Sequence, residues 1–394
     1  MSATLSTHPL GSDAETRTRV LLIAMADSIH VARWIEQFDG MPIDFTIFPS
    51  GPNRRIHPII ERRVRLKGAS PSVAIAARMT YASFPLGLVD LVIDHRCKAP
   101  LLRRLLIHSC FDFIHVLEFQ HAGYLLVRAL GGRPAPATVI ATNWGSDVYW
   151  FSQFPDHRRK IQQILAVADR YSSECARDQR LAKELGFKGA FLPVNPNAGG
   201  IPTHEYRASA LANPPSSRTR IAVKGYDRFV GLAPMALEAI ESLAVELRDF
   251  EIVFYSAGRR MRRLIGQTQA RTGLNIIAHP PYALSHSEMM MLFLSSRIYL
   301  GVSRSDGIST SLLEAMTTGC FPIQTATSCA DEWISPGRSG AVIRELEVDA
   351  IVECLRPALE DDELVNRAMA INLDEARSRL DHAAIASQSH AFYV

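Results

Sequence analysis

The sequence predicts an α/β protein built as two similar units in series. Short apolar runs recur at residues 19–25, 42–48, 112–118, 137–142 and 170–175, each followed by a polar or helical stretch. That is how buried parallel strands read. The rhythm restarts at 220–226 and continues through 250–256, 275–278, 297–302 and 320–323. Between the two series, residues 193–218 carry Pro193, Pro196, Gly199, Gly200, Pro202, Pro214 and Pro215, a composition suited to an interdomain linker.

Composition sets outer bounds. The chain has 394 residues, long enough for two domains, with 47% apolar and 21% charged residues, in the range of globular proteins. A net charge of +3 is too small to imply nucleic acid as a partner. Cys97, Cys110, Cys175, Cys320, Cys329 and Cys354 form no CxxC pair and no metal spacing with His. Several sit in apolar runs, so reduced buried thiols and a cytoplasmic location are expected. No apolar run reaches the ~18 residues of a membrane span. Residues 1–18 are polar and read as a flexible tail.

In chain order, the run at 19–25 is the first strand. Asp27 and Ser28 cap a helix carrying His30, Trp34, Ile35 and Phe38, and 42–48 is the second strand. No Gly-x-Gly-x-x-Gly follows the first strand, which argues against a dinucleotide site there. Residues 51–109 are irregular and basic. One cluster holds Arg54, Arg55, Arg62, Arg63, Arg65 and Lys67. A second holds Arg96, Lys98, Arg103 and Arg104, interleaved with Leu101, Leu102, Leu105, Leu106 and Ile107. The second reads as an amphipathic helix with a basic face. Such a face suits peripheral contact with an anionic membrane, and equally a solvated surface packed on the domain.

The strand at 112–118 delivers Glu118 and His121 to its carboxyl end, where open α/β sheets bind ligands. The strand at 137–142 delivers Asn143, Trp144 and Asp147 to the same edge. A strand at 170–175 is followed by a helix closed by Gly186. In the second unit, the strand at 220–226 ends in Lys224 and Gly225, with a helix over 233–245. The loop His279-Pro280-Pro281-Tyr282 offers a resting place for a nucleobase. Met289, Met290 and Met291 read as core filling in the helix at 285–294. Helices at 348–359 and 362–380 lead to the end of the chain.

One stretch, residues 303–323, carries most of the chemistry. The strand at 297–302 hands over through Asp306 and Gly307 to a helix with Ser309 as N-cap and Gly319 as its stop. Free N–H groups near Ile308, Ser309 and Thr310, with the helix dipole, favour a phosphate there. Gly307 lets a ligand approach the backbone. Glu314, one turn in, is placed to accept hydrogen bonds from a ribose diol.

Asp306 and Glu314, seven residues apart in between, resemble the acid-x7-acid motif of family-4 retaining glycosyltransferases. Gly319-Cys320-Phe321-Pro322-Ile323, Asp331-Glu332-Trp333-Ile334 and Gly337-Arg338-Ser339-Gly340 fit the C-terminal half of that family. The first acid of the motif is usually Glu and is Asp here. The resemblance implies the GT-B architecture, two Rossmann-like domains facing across a cleft. The expected organisation is a tail at 1–18, an acceptor-side domain at 19–197, a linker at 198–218, a nucleotide-sugar domain at 219–375, and a final helix, 376–394, crossing back to the first domain.

The resemblance also implies roles. Lys224 matches a basic position that pairs with the donor diphosphate; Val230 stands where a second Lys is usual, with Arg228 its nearest substitute. Asp306 holds sugar hydroxyls and Glu314 the ribose. Trp144 stands where many members have a donor-contacting His, so Asn143 or Asp147 would take the polar role. Ser28, His30, Glu118 and His121 fall on the acceptor side. The expected activity is transfer of a sugar from a nucleoside-diphosphate sugar to a hydroxyl of a glycan, lipid or small molecule, with retention. No Asp-x-Asp motif is present, and neither metal nor other cofactor is expected. Two alternatives are a nucleotide-sugar 2-epimerase on the same fold and an inactive nucleotide-sugar-binding subunit.

Overall fold

The computed structural model describes residues 17–51, 55–66, 68–76, 88–90, 92–196 and 199–394. Most of the expected N-terminal tail, and Arg54 and Lys67 of the first basic cluster, lie outside the described residues. Thr18 already belongs to the first strand.

The first sheet has seven parallel strands in the order β3-β2-β1-β4-β5-β6-β7. They are β1 (Thr18–Ala24), β2 (Ile43–Pro49), β3 (Ser72–Ile75), β4 (Phe113–Leu117), β5 (Thr138–Thr142), β6 (Arg170–Ser172) and β7 (Ala190–Phe191). Helices α1 (Ile29–Glu36), α2 (Pro58–Arg65), α3 (Lys98–His108), α4 (Tyr124–Leu130), α5 (Pro155–Val167) and α6 (Ala176–Glu184) flank it. Covered on both faces, β4 is buried at every position. Its one polar side chain, His115, is bonded at both ring nitrogens, to the Tyr393 hydroxyl at 2.7 Å and to Thr142 Oγ1 at 2.7 Å. That pairing is what makes a polar group tolerable there.

The second sheet has six parallel strands in the order β10-β9-β8-β11-β12-β13. They are β8 (Arg220–Lys224), β9 (Glu251–Tyr255), β10 (Asn275–Ala278), β11 (Ile298–Gly301), β12 (Phe321–Thr325) and β13 (Ala341–Ile343). Its helices are α7 (Thr203–Ala212), α8 (Ala233–Ser242), α9 (Arg259–Thr272), α10 (His286–Leu294), α11 (Thr310–Thr317), α12 (Val348–Glu360), α13 (Asp362–Arg379) and α14 (His382–His390). In each sheet the strand order reverses once, between β1 and β4 and between β8 and β11. Open α/β sheets bind ligands at that switch point.

Several elements differ from expectation. The 198–218 stretch carries α7, whose Ala210 packs against Met369 and Leu373 of α13; Pro and Gly bracket the helix rather than prevent it. The strand at 170–175 stops at Ser172, because Cys175 already serves as the N-cap of α6. Within the basic region, Lys98 is not on a solvated face. It is buried and its Nζ donates to the carbonyls of Pro49, Ser50 and Gly51. Three carbonyls at one strand end make a cage for a cation, which a basic-face pattern does not reveal.

The chain end returns to the first domain. Ile201 N donates to Leu380 O at 2.7 Å, and Phe392 and Tyr393 are buried in the first-domain core. The Trp34 indole N–H donates to the Tyr393 hydroxyl at 2.9 Å.

Candidate active site

The carboxyl ends of the two sheets face each other across a cleft of about 850 Å³. From the first domain it is lined by Ile29, His30 and Arg33 after β1, by Trp144, Gly145 and Ser146 after β5, and by Glu174 after β6. From the second come Lys224 and Tyr226 after β8, Tyr255 and Ser256 at the end of β9, and Pro280, Pro281, Tyr282 and His286 after β10. Asp306, Ile308, Thr310, Ser311 and Glu314 follow β11.

Lys224 ends β8 with its Nζ 3.4 Å from Asp306 Oδ2 and 3.1 Å from Ser309 Oγ. Burial works against its charge, but the Asp306 carboxylate outweighs this and holds the Lys224 pKa above its usual value. The cation is therefore fixed at the N-terminus of α11. Ser309 makes no side-chain capping bond; its hydroxyl instead meets Lys224 and, at 3.2 Å, the Tyr299 hydroxyl. The first turn of α11 thus points uncapped N–H groups toward the cleft, beside an ammonium, the arrangement an anion needs.

Glu314 is nearly buried on α11. Its Oε1 lies 2.9 Å from His286 Nε2 and 3.6 Å from Arg33 Nη1. Arg33 comes from the first domain, so this ion pair spans the cleft. His30, seated by its N–H bond to Ser28 Oγ at 3.2 Å, packs edge-on against Trp144 with ring centres 5.6 Å apart. Burial, helped by the Arg33 charge, lowers its pKa to about 4, so the ring is neutral near pH 7.

Other expected residues stand behind the cleft wall. Asp147 is buried, and its Oδ2 accepts from Trp144 N and Phe119 N, both at 2.8 Å. It ties two loops together instead of facing a sugar. Burial and the neighbouring Glu118 carboxylate raise its pKa well above the carboxylate range. Asn143 is also buried; its amide donates to Asp178 at 2.8 Å and accepts from the Tyr171 hydroxyl at 2.6 Å. Glu118 folds onto the backbone that follows it, accepting from His121 N and Ala122 N, and burial pushes its pKa up to about 7. His121 lies on that same turn, away from the cleft lining, its pKa lowered to about 4 by burial and the nearby His95 and Lys98 charges. Arg228 is exposed and is not among the cleft-lining residues.

Gly307 has a different neighbour than expected. A Cβ there would lie 2.9 Å from Glu174 Oε2 and 3.3 Å from Gly145 N, so the close approach is between the two domains. The same seam has Arg177 donating to Thr327 O and to Asp306 O, each at 2.8 Å. Glu332 accepts from Ala176 N and Arg177 N at 2.9 and 3.1 Å, capping α6 from the opposite domain.

Sequence reasoning missed Arg33, His286, Tyr226 and Glu174. Arg33 had a signal: three residues after His30, it shares the cleft face of α1. His286 had none, since its place depends on how the loop after β10 turns.

Solved structures share the fold. The structure of HepE from Anabaena in complex with UDP superposes with a TM-score of 0.68 at 12% identity, covering 95% of this chain and 99% of that one. Sucrose-phosphate synthase from Thermosynechococcus elongatus gives 0.67 at 14% identity, covering 96% and 98%. An α,α-trehalose-phosphate synthase (UDP-forming) from Burkholderia xenovorans, in complex with glucose-6-phosphate, gives 0.67 at 14%, covering 96% and 99%. The chain has the GT-B fold. Residues 223–372 match the family model described as glycosyl transferases group 1. No curated protein matches the chain. The matched span begins in β8 and ends within α13, and it contains Lys224, Asp306, His286 and Glu314. Among the described residues no helix is long and apolar enough to cross a membrane.

Proposed function

We propose that this chain moves a sugar from a nucleoside-diphosphate sugar to a hydroxyl acceptor, with retention, as a transferase of the family-4 type. One observation carries the reading: both acids of the acid-x7-acid pair, Asp306 and Glu314, line one cleft with Lys224 and the N-terminus of α11 between them. The spacing suits a nucleotide sugar. Lys224 and the α11 N–H groups would balance the diphosphate as charge builds on the leaving group. Glu314 would take the ribose diol, exchanging its contact with Arg33 for ligand hydroxyls. Asp306 would hold the transferred sugar, and Tyr226 or the Pro280–Tyr282 loop the base. His30, neutral and facing the same space, would contact the sugar or the acceptor. Asp147 and Asn143 act only by shaping the wall. A front-face retaining route needs no separate base, and no metal ligand is assigned to the reaction.

Complexes of the Anabaena protein with UDP and UDP-glucose support a UDP-sugar as the first donor to try. The test is a panel of UDP, GDP, ADP and CMP sugars read by thermal shift and nucleotide release. A donor at 100 times its Kd stabilises by about 2.7 kcal/mol. A donor that is bound and cleaved only with acceptor present, giving a product of unchanged anomeric configuration by NMR, supports the reading. Epimerised sugar without acceptor points to the 2-epimerase, and binding without cleavage to an inactive subunit. Peripheral membrane contact is a separate proposal, resting on the exposed Leu101 and Ile107 beside Arg104 on α3. Flotation with anionic vesicles tests it, and Arg104→Glu should weaken the binding.

A further inference from the structure

The seam between the domains, next to the Asp306 loop, holds a pair of thiols that the transfer reaction does not use. Cys175 Sγ and Cys329 Sγ lie 2.7 Å apart, from positions separated by 154 residues. Both are buried. Cys175 is the N-cap of α6 in the first domain; Cys329 joins two short helical turns after β12 in the second. On either side the seam is already registered by polar contacts, Glu332 onto the α6 N-terminus and Arg177 onto Thr327 and Asp306 carbonyls. The two sulfurs are thus held face to face by the docking of whole domains.

A metal is the competing use of this cluster. Cys175, Cys329 and Glu332 bring their ligand atoms within 4.8 Å of one another. Two observations decide against it. Glu332 already spends both oxygens on the backbone N–H groups of Ala176 and Arg177. Tetrahedral zinc with Zn–S near 2.3 Å also holds its sulfurs roughly 3.7 Å apart, well beyond the 2.7 Å found here.

We propose that Cys175 and Cys329 are a redox-sensitive pair whose disulfide locks the two domains together beside the cleft. The co-reactant is a small-molecule disulfide of the glutathione class. One cysteine thiolate attacks it and expels a small thiolate, leaving a mixed disulfide. The second cysteine thiolate then attacks the protein-bound sulfur and expels the other. The two cysteines are oxidised, the small disulfide is reduced, and both protons end on the two released thiols. The hydrogen bond from Cys329 and burial raise the Cys175 thiol pKa, which makes it a poor nucleophile while the seam is shut. Attack therefore belongs to the parted domains, and closure completes the bond. Disulfides in reducing compartments are usually of this transient, sensing kind.

The pairing does not depend on the glycosyl-transfer reading and is tested without it. The full chain is incubated with oxidised glutathione, free thiols are alkylated, and the digest is mapped by mass spectrometry. A Cys175–Cys329 linked peptide, lighter by two hydrogens and lost on dithiothreitol, is expected. With it comes a Tm rise of a few degrees that Cys329→Ser abolishes. Cys97 and Cys110, both exposed, should appear only as glutathione adducts. Alkylation of both Cys175 and Cys329 in oxidised wild-type protein overturns the proposal, whether or not the variant folds. So does one equivalent of zinc that the wild-type chain retains through oxidation with no linked peptide formed.

Discussion

Glu314 is held by His286 on its own domain and faced by Arg33 from the other. Its carboxylate is thus aimed before any ligand arrives. Replacing it with Ala removes a charged acceptor, worth about 1.5–3 kcal/mol, so donor kcat/KM should fall roughly ten- to a hundred-fold. Unchanged kinetics in a folded variant would take Glu314 out of the site. The buried histidines give a second prediction. Burial lowers His30 to about 4, His115 to about 3 and His121 to about 4, from 6.5. Between those values and 6.5 the unfolded chain binds protons that the native chain refuses, so stability falls as pH drops through that window. Glu118, raised from 4.5 to about 7 by burial, has the opposite sign: it keeps a proton the unfolded chain releases, and its contribution is lost as pH rises toward 7. Asp27, Asp147 and Asp178 are raised as well and share the sign of Glu118, while His57, His95 and His157 are lowered like the other three histidines; six histidines outweigh four acids between pH 4.5 and 6.5. Tm should therefore decline on acidification from pH 6.5 to 5, and His30→Gln should flatten the slope. A Tm that rises over this range contradicts the assignment.

At the scale of elements, the α6 N-terminus and the Asp306–Gly307 loop make the seam beside the cleft. Glu332→Ala removes the cap that the second domain places on α6. It should cost about 0.5–2 kcal/mol, the range of N-cap losses, read as a lower denaturation midpoint. Gly307→Ala places a Cβ 2.9 Å from Glu174 Oε2, a side-chain end that can swing aside, and 3.3 Å from the Gly145 backbone N, so its cost in stability should be small. Its effect should appear mainly in donor KM, through the displaced loop; an unchanged KM would show that the seam yields freely. These contacts also mark where reading the sequence stops. Strand runs, the Lys224 strand end and the Asp306–Glu314 junction are local patterns, and each was legible. A buried Asp147 was one of the readings the sequence left open; the burial of Asn143 was not legible, because it depends on β5 and β6 lying side by side with loops that consume its polar atoms. The cage around Lys98 and the thiol pair were hidden for the same reason: their partners lie 47 and 154 residues away. The helix within 198–218 was masked by its flanking prolines.

At the scale of the molecule, the chain end fastens the first domain's core. Tyr393 is 4% exposed and its hydroxyl meets both Trp34 and His115. Tyr393→Ala should cost about 3–5 kcal/mol, as for other buried aromatic truncations, with the midpoint of the first domain dropping before that of the second. Uniform loss across both domains would mean that they unfold as one unit. The account as a whole rests on where a nucleotide sits between the two sheets. A crystal structure of the chain soaked with UDP decides it. The account predicts the diphosphate within hydrogen-bond reach of Lys224 Nζ and the first N–H groups of α11, with the ribose hydroxyls on Glu314. UDP bound elsewhere, while this cleft stays closed by the Arg33–Glu314 pair, would contradict it.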